Sequence, residues 1–496
     1  MRPPQVAIGE ILGELERDNL LPAIVFRSSR NQCDLDAERA GKSPRLHLDP
    51  MVQRELRARI RAIAEQYDMD LELVHSHPHY NALVSTAIGA HHAGQLLTWR
   101  LLLEELMAEG ALRLLVATGT VAAGVDFPAR TVVLTAHSRR GAEGFETLTS
   151  SEFQQMSGRA GRRGKDTVGF CIAAPSPFCD GRVLLELSKQ PPEPLVSAYF
   201  PSPSTVLNLL RYRTVDGLHY TVERSLASFI DQQRAADLRL AADESAESLS
   251  TEAAQAFQEV RRAFVENDIE RAFQSMEIPK GEKKILKRLR RMYRQASEME
   301  KRQLVLLDSS LNGLRALGYL EGVHLSEKGY WAANLCTTLV IELAEIIQSG
   351  LLEGATVDIL VAVIASISGD PHRQYLSAGK APPLPDGTVR RIEATLAAVR
   401  DQHMPGVLED RQVILDAAHT AVSWLYAEDW HSFRSLLLLS GVAEGDAARL
   451  ITQTSEQLNQ LARLTESHYE LAMLAVAAKQ RLLRPPLTEA INIDSL

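Results

Sequence analysis

Residues 114–134, LLVATGTVAAGVDFPARTVVL, set the architecture of the N-terminal part of the chain. An aliphatic run enters a loop of threonine, glycine and alanine, and a second aliphatic run leaves it. Strands without polar interruption are buried on both faces, which is the habit of parallel sheets covered by helices. Outward from this pair, LPAIVF (21–26), RLLVAT (113–118), TVVLTA (131–136) and VGFCIAA (168–174) read as buried strands. Between them QLLTWRLLLEELMAEG (95–110) has helical spacing and closes on a glycine, as a helix C-terminus does. Strands alternating with helices predict an α/β domain, a parallel sheet with helices on both faces. Ligands of such folds sit beyond the strand C-termini. The loop TGTVAAGVDFPA and a later basic run, QQMSGRAGRRGK (154–165), are expected there.

The 496 residues suggest three or four domains at about 150 residues each. Hydrophobic content of 45% and charged content of 24% fit a water-soluble globular chain. A net charge of -9 argues against a surface coated in basic residues, but leaves room for a local basic channel. Cys33, Cys171, Cys179 and Cys336 form no CxxC pair, so a reducing, cytoplasmic setting without structural metal or disulfides is expected. The start, MRPPQVAIGE, lacks the apolar core of a secretory signal, and ILVAVIASI (359–367) is too short to span a bilayer.

Past residue 188 the pattern turns helical. KQPPEPLVSAYFPSPS (189–204) reads as a linker, and SAGKAPPLPDGT (377–388) as a second one. The organisation expected is an α/β domain at 1–188, a domain formed by 189–235 with 303–345, a basic helical hairpin inserted at 236–302, and a helical domain at 346–496. The hairpin carries KGEKKILKRLRRMYR (280–294), which serves either as a solvated helix face or as a track for phosphates.

Two groups of side chains suggest chemistry. In the run 154–165, Arg159 and Arg162 lie three residues apart among glycines, so both can face one polyphosphate while the backbone approaches closely. Taken alone, such a run is as often a solvated basic loop. His75, His77, His79, His91 and His92 invite a zinc reading, but Pro78 breaks a regular helix and no nearby cysteine or carboxylate completes a ligand set. No metal site is therefore assigned. Trp99, Trp331, Trp424 and Trp430 read as core or inter-domain anchors.

PAIVFRSSRNQCD (22–34), AIGAHHAGQL (87–96), the 114–134 stretch and the arginine run, in this order, resemble motifs IV, IVa, V and VI of superfamily 2 nucleic-acid helicases. The nearest likeness is to the superkiller-type DExH group. The resemblance implies a second RecA-like domain, followed by mostly α winged-helix and helical-bundle ("ratchet") domains. By the same resemblance, Arg159 and Arg162 are arginine fingers for a nucleotide γ-phosphate, and Gln155 positions the nucleotide or attacking water. Gly124 and Asp126 would lie near its ribose and phosphates, although the family more often has Asn at position 126. Ser29, Arg30, His92, Gly94, Thr118 and Thr120 would contact the nucleic-acid backbone, as would Arg449 and Gln453, which share a face on a late helix. Asp446 would cap that helix, and LRALGYLEGVHLSEKGYWAANL (314–335) would form the recognition helix and wing.

A helicase motor also needs a P-loop and an acidic strand for Mg²⁺. Gly41-Lys42-Ser43 and the Asp243–Ala246 DESA sequence imitate these in letters only. ATP and Mg²⁺ are thus expected only in a motor completed by a first RecA-like domain, which would hold the Mg²⁺. The implied function is part of an ATP-dependent 3′-to-5′ helicase acting on single-stranded RNA, or alternatively DNA, with no membrane partner and no ATPase activity of the chain alone. The other reading is a non-catalytic nucleic-acid-binding or adaptor protein, which would have no need of Gln155, Arg159 and Arg162 together.

Overall fold

Three of the four apolar runs form strands that are buried throughout, β1 (Ala23–Phe26), β3 (Leu114–Ala117) and β4 (Thr131–Leu134), as is β2 (Ile88–His91), while the run at 168–174, expected to be buried, forms a largely exposed edge strand. The computed structural model describes residues 4–119, 128–141, 144–247, 249–251, 254–255, 257–258, 283–379 and 382–488. A side hairpin of β5 (Ser138–Gly141) and β6 (Gly144–Thr147) precedes β7 (Phe170–Ala173). The main sheet runs β2-β3-β1-β4-β7 with every pairing parallel. Alternate side chains feed two apolar layers. Ile24, Phe26, Leu115 and Leu134 pack on one face with helices Pro50–Gln66 and Leu97–Ala108. Ala23, Val25, Leu114 and Val133 pack on the other with helices Ile8–Arg17 and Arg30–Gly41. The predicted helix at 95–110 is observed over Leu97–Ala108. It stops where Gly110 adopts φ +78° and the Ala111 amide returns to the Leu106 carbonyl at 2.8 Å.

Beyond residue 202 the strands among the described residues are those of one small hairpin, β8 (Leu320–Glu321) with β9 (His324–Leu325), turned at Gly322 with φ +63°, and the other elements described there are helices. Helix Val357–Ser368 has Leu360 through Ile367 all buried, as a helix apolar on every side must be, and it forms the centre of this region. One continuous apolar core extends from Val206 to Leu487. The stretch at 377–388, expected as a linker, is stitched to that core instead. Leu376 and Leu384 are buried in it, and the Ala378 amide donates to Asp416 at 2.8 Å. Helix Leu226–Ala246 runs through position 236, and helix Lys283–Ala316 runs through 302. Those two expected borders therefore mark no break in secondary structure. The two long helices pair through Asp231 with Arg302 and Gln303, and through the Tyr293 hydroxyl to Asp243 at 2.6 Å. Among the described residues no helix is long and apolar enough to cross a membrane.

Candidate nucleic-acid interface and arginine loop

The C-terminal ends of β1, β2 and β3 lie together, because the Arg27 amide donates to Ala117 and the Thr118 amide to His91. Helix Arg30–Gly41 begins just past β1, with the Ser29 hydroxyl accepting the Gln32 amide at 3.3 Å as its cap. One turn along, Asp34 reaches the loop after β2. Its Oδ1 accepts from His92 at 2.8 Å and from His79 at 3.2 Å. Burial alone would lift this carboxyl, but the two histidine hydrogen bonds outweigh burial and hold it below the usual carboxylate range. His92 is only 3% exposed and its Nδ1 accepts the Gly94 amide at 3.1 Å. It therefore braces the loop from inside; Gly94 and Gln95 are buried as well, and of this loop only Ala93 is half-exposed.

The other histidines are similarly occupied. His91 meets Glu104 at 2.6 Å, and His77 stacks on Trp99 with ring centroids 3.6 Å apart. Burial pushes the His77 imidazole well below its ordinary value. Trp99, Trp331, Trp424 and Trp430 are all buried.

Helix Glu444–Leu461 docks its first turn directly on the loop after β2. The Gly445 amide donates to the Gly94 carbonyl at 3.0 Å. A Cβ at Gly445 would lie 2.5 Å from the Ala93 carbonyl and 2.6 Å from that of Gln95, so the approach requires glycine. Asp446 does not cap this helix. It sits inside the first turn, which Ala443 precedes without any side-chain cap, and its carboxylate takes Arg30 at 2.8 Å and Arg373 at 2.7 Å. A second tie is deeper. Arg434, 3% exposed, donates to the Leu73 carbonyl and the Ser76 hydroxyl, both at 2.9 Å, and is ion-paired with Glu444.

Between these elements lies a cavity of about 490 Å³, walled by Arg30, Ala93, Gln95, Thr98 and Arg100 on one side and Asp446, Arg449, Gln453 and Glu456 on the other. Arg449 is exposed and Gln453 half-buried. The structure thus brings together Arg30, Ala93, Gln95, Arg449 and Gln453, which are far apart in sequence, whereas Gly94, expected at the nucleic acid, is buried against Gly445 and does not line the cavity. Ser29 and Thr118 lie at the same strand ends. Thr120, Gly124 and Asp126 lie outside the described residues.

The arginine run is elsewhere, contrary to expectation. Helix Ser150–Ser157 carries the chain back across the sheet, as crossover helices do. Ala160 therefore bridges Ala129, which precedes β4, and the run ends just before β7 begins. Arg159 and Arg162 lie at the strand N-termini. Gly161 has φ +96°, and a Cβ at Gly169 would lie 2.4 Å from Ala160, so the glycines do allow close backbone approach. Gln155 is exposed and Arg159 half-buried. Arg162 is held by Asp166, whose carboxylate accepts its Nε at 2.8 Å, its Nη2 at 3.0 Å and its amide at 3.0 Å. Those hydrogen bonds pull the Asp166 carboxyl down to about 2. The fork uses the Nε edge of the guanidinium and leaves the Nη1 edge for another anion.

Neither imitation motif is built for phosphate. Gly41 ends a helix, with Ala82 2.7 Å from where its Cβ would be, and Lys42 is exposed near Glu38. Asp243 lies within helix Leu226–Ala246 and takes the Tyr293 hydroxyl. Sequence reading missed Asp34, Arg373, Arg434 and the pairing role of Asp446. Arg434 alone left a signal, a charge on the apolar face formed by Trp430, Phe433 and Leu437.

A parallel α/β domain bearing these helicase-like segments, docked on a large helical region, is the class of architecture present, and over parts of its length the chain is similar to superkiller-type helicases. Residues 322–490 match the DSHCT (NUC185) domain. The chain is 34% identical over 233 residues to "Probable helicase HelY" of Mycobacterium tuberculosis, covering 46% of this chain and 25% of that protein. It is 34% identical over 234 residues to "Superkiller complex protein 2" of Homo sapiens, covering 44% of this chain and 17% of that protein. To "Exosome RNA helicase MTR4" of Mus musculus it is 33% identical over 214 residues, with coverages of 42% and 20%. The chain thus spans a quarter or less of the length of these relatives.

Proposed function

We propose that this chain forms one wall of the single-strand channel in an ATP-dependent 3′-to-5′ helicase, and that RNA is the strand. The observation that carries the proposal is the single cavity shared by Arg30, Ala93, Gln95, Arg449 and Gln453. Cations on two facing elements suit a phosphodiester backbone, which is gripped without sequence being read. Relatives named as RNA helicases support RNA as the strand. The hairpin β8–β9 behind helix Lys283–Ala316 supports reading 189–235 with 303–345 as a winged helix. Arg159, Arg162 and Gln155 would serve a nucleotide held by another RecA-like domain. ATP and Mg²⁺ would be held on that domain.

Fluorescence anisotropy with a labelled single-stranded RNA tests the channel. Arg449 is exposed, so Arg449→Glu should leave the melting temperature unchanged and weaken binding about tenfold or more. It should also flatten the slope of log affinity against log salt by about 0.7 per lost phosphate contact. Unaltered affinity in the folded variant would contradict the channel.

A further inference from the structure

Two carboxylates, Asp446 and Glu456, oppose a nucleic-acid ligand in the cavity wall, and Asp446 is the one ion-paired to arginines of both halves of the molecule. Its Oδ2 accepts from Arg30 of the α/β domain at 2.8 Å, and its Oδ1 accepts from Arg373 of the helical region at 2.7 Å. The backbone beneath it cannot retreat, because Gly445 is pressed against the Ala93 and Gln95 carbonyls. The carboxylate is itself well supported without Arg30. It lies in the first turn of helix Glu444–Leu461, where the helix dipole favours an anion, and it retains Arg373. Arg30 is less confined, since its side chain is 30% exposed and lines the cavity.

From this geometry we infer that Asp446 is a strand-affinity determinant: its carboxylate occupies Arg30 in the manner of a phosphate, and an entering strand phosphate takes Arg30 over. The exchange is nearly balanced. Arg30 trades one oxyanion for another, and Asp446 keeps Arg373 and the helix terminus, so no charge is left buried and unpaired. A grip that must displace an internal anion is weaker than one offered by a bare arginine. Weak contacts suit a protein along which a strand moves. The inference rests on the channel reading above.

The test is single-stranded RNA binding by the full chain carrying Asp446→Asn, alone and with Arg30→Ala. Asparagine keeps one hydrogen-bond acceptor, enough to retain Arg373, and removes the charge that competes for Arg30. Binding should tighten about fivefold, the size of one part-exposed ion pair, and the salt slope should steepen by about 0.7, one more phosphate contact. Both gains should vanish in the Arg30→Ala background. Should D446N not fold, Asp446→Ser carries the same comparison. Unchanged or weaker binding by a folded variant would overturn the inference, and so would a gain that survives Arg30→Ala, since that reflects net charge alone. A wild-type chain that binds no single-stranded RNA would instead overturn the channel reading on which the inference rests.

Discussion

Arg434→Ala should destabilise the chain by about 3–5 kcal/mol, the cost of removing one partner from a buried ion pair. The side chain is 3% exposed and its partner Glu444 is 7% exposed, so alanine would leave a carboxylate facing neither water nor a cation. The Trp430 indole, 3.4 Å from Glu444, is too weak a donor to replace a guanidinium. The loss would not stop at the pair. Arg434 also supplies hydrogen bonds to Leu73 and Ser76, so the variant loosens the seat of the helical region on the α/β domain. Urea denaturation measures the effect, and a loss under about 1 kcal/mol would contradict this account of the seat. Arg434→Met combined with Glu444→Leu should recover much of the stability, because removing both charges leaves neither buried and alone.

Replacing Arg159 or Arg162 by alanine should lower nucleotide hydrolysis by about 10³-fold or more in a motor assembled with a P-loop-bearing RecA-like domain. The magnitude follows from placing a cation where negative charge spreads in phosphoryl transfer, in surroundings that water screens poorly. Asp166 adds a finer expectation. Its fork on the Nε edge of Arg162 fixes where the Nη1 edge points, so Asp166→Asn should reduce kcat with little change in KM. The acid behaviour follows from the sign of its shift. A carboxyl lowered to about 2 contributes stability that is complete above its ordinary value near 4 and is lost as pH falls toward 2. The fork is therefore constant through neutral pH, and the neutral-range pH–rate profile should contain no Asp166 step. Phosphate release by the assembled motor checks both points, and full turnover by Arg162→Ala would contradict the finger assignment.

The sheet could be read from the sequence because four of its strands lie in apolar runs, three of them buried, and helix Leu97–Ala108 because its glycine stop is a local signal. β2 was harder to see, since Ile88–His91 contains glycine and histidine and is a strand only because Ile88 and Ala90 find Leu114 and Val116 beside them. Arg30, Arg449 and Gln453 were singled out through likeness to a helicase family, and the structure sets all three about one cavity. What joins them was not legible, because the Arg30–Asp446 pair spans residues more than four hundred positions apart and neither leaves a local trace of the other. The position of the arginine loop was misjudged for a topological reason. The rule that ligands lie at strand C-termini holds for the loop that directly follows a strand, whereas this run follows a crossover helix that has already recrossed the sheet. His92 was expected at the strand and lies beneath the loop because Asp34, one turn into the neighbouring helix, draws its ring inward.

The measurement that bears most directly on the central claim is photocrosslinking of 4-thiouridine-substituted single-stranded RNA to the intact chain, with crosslinked peptides mapped by mass spectrometry. The account predicts crosslinks on both walls of the cavity, within residues 93–100 and within 445–456, and their joint weakening in Arg449→Glu. Crosslinks confined to the basic helix around 284–294, with none on either wall, would contradict it.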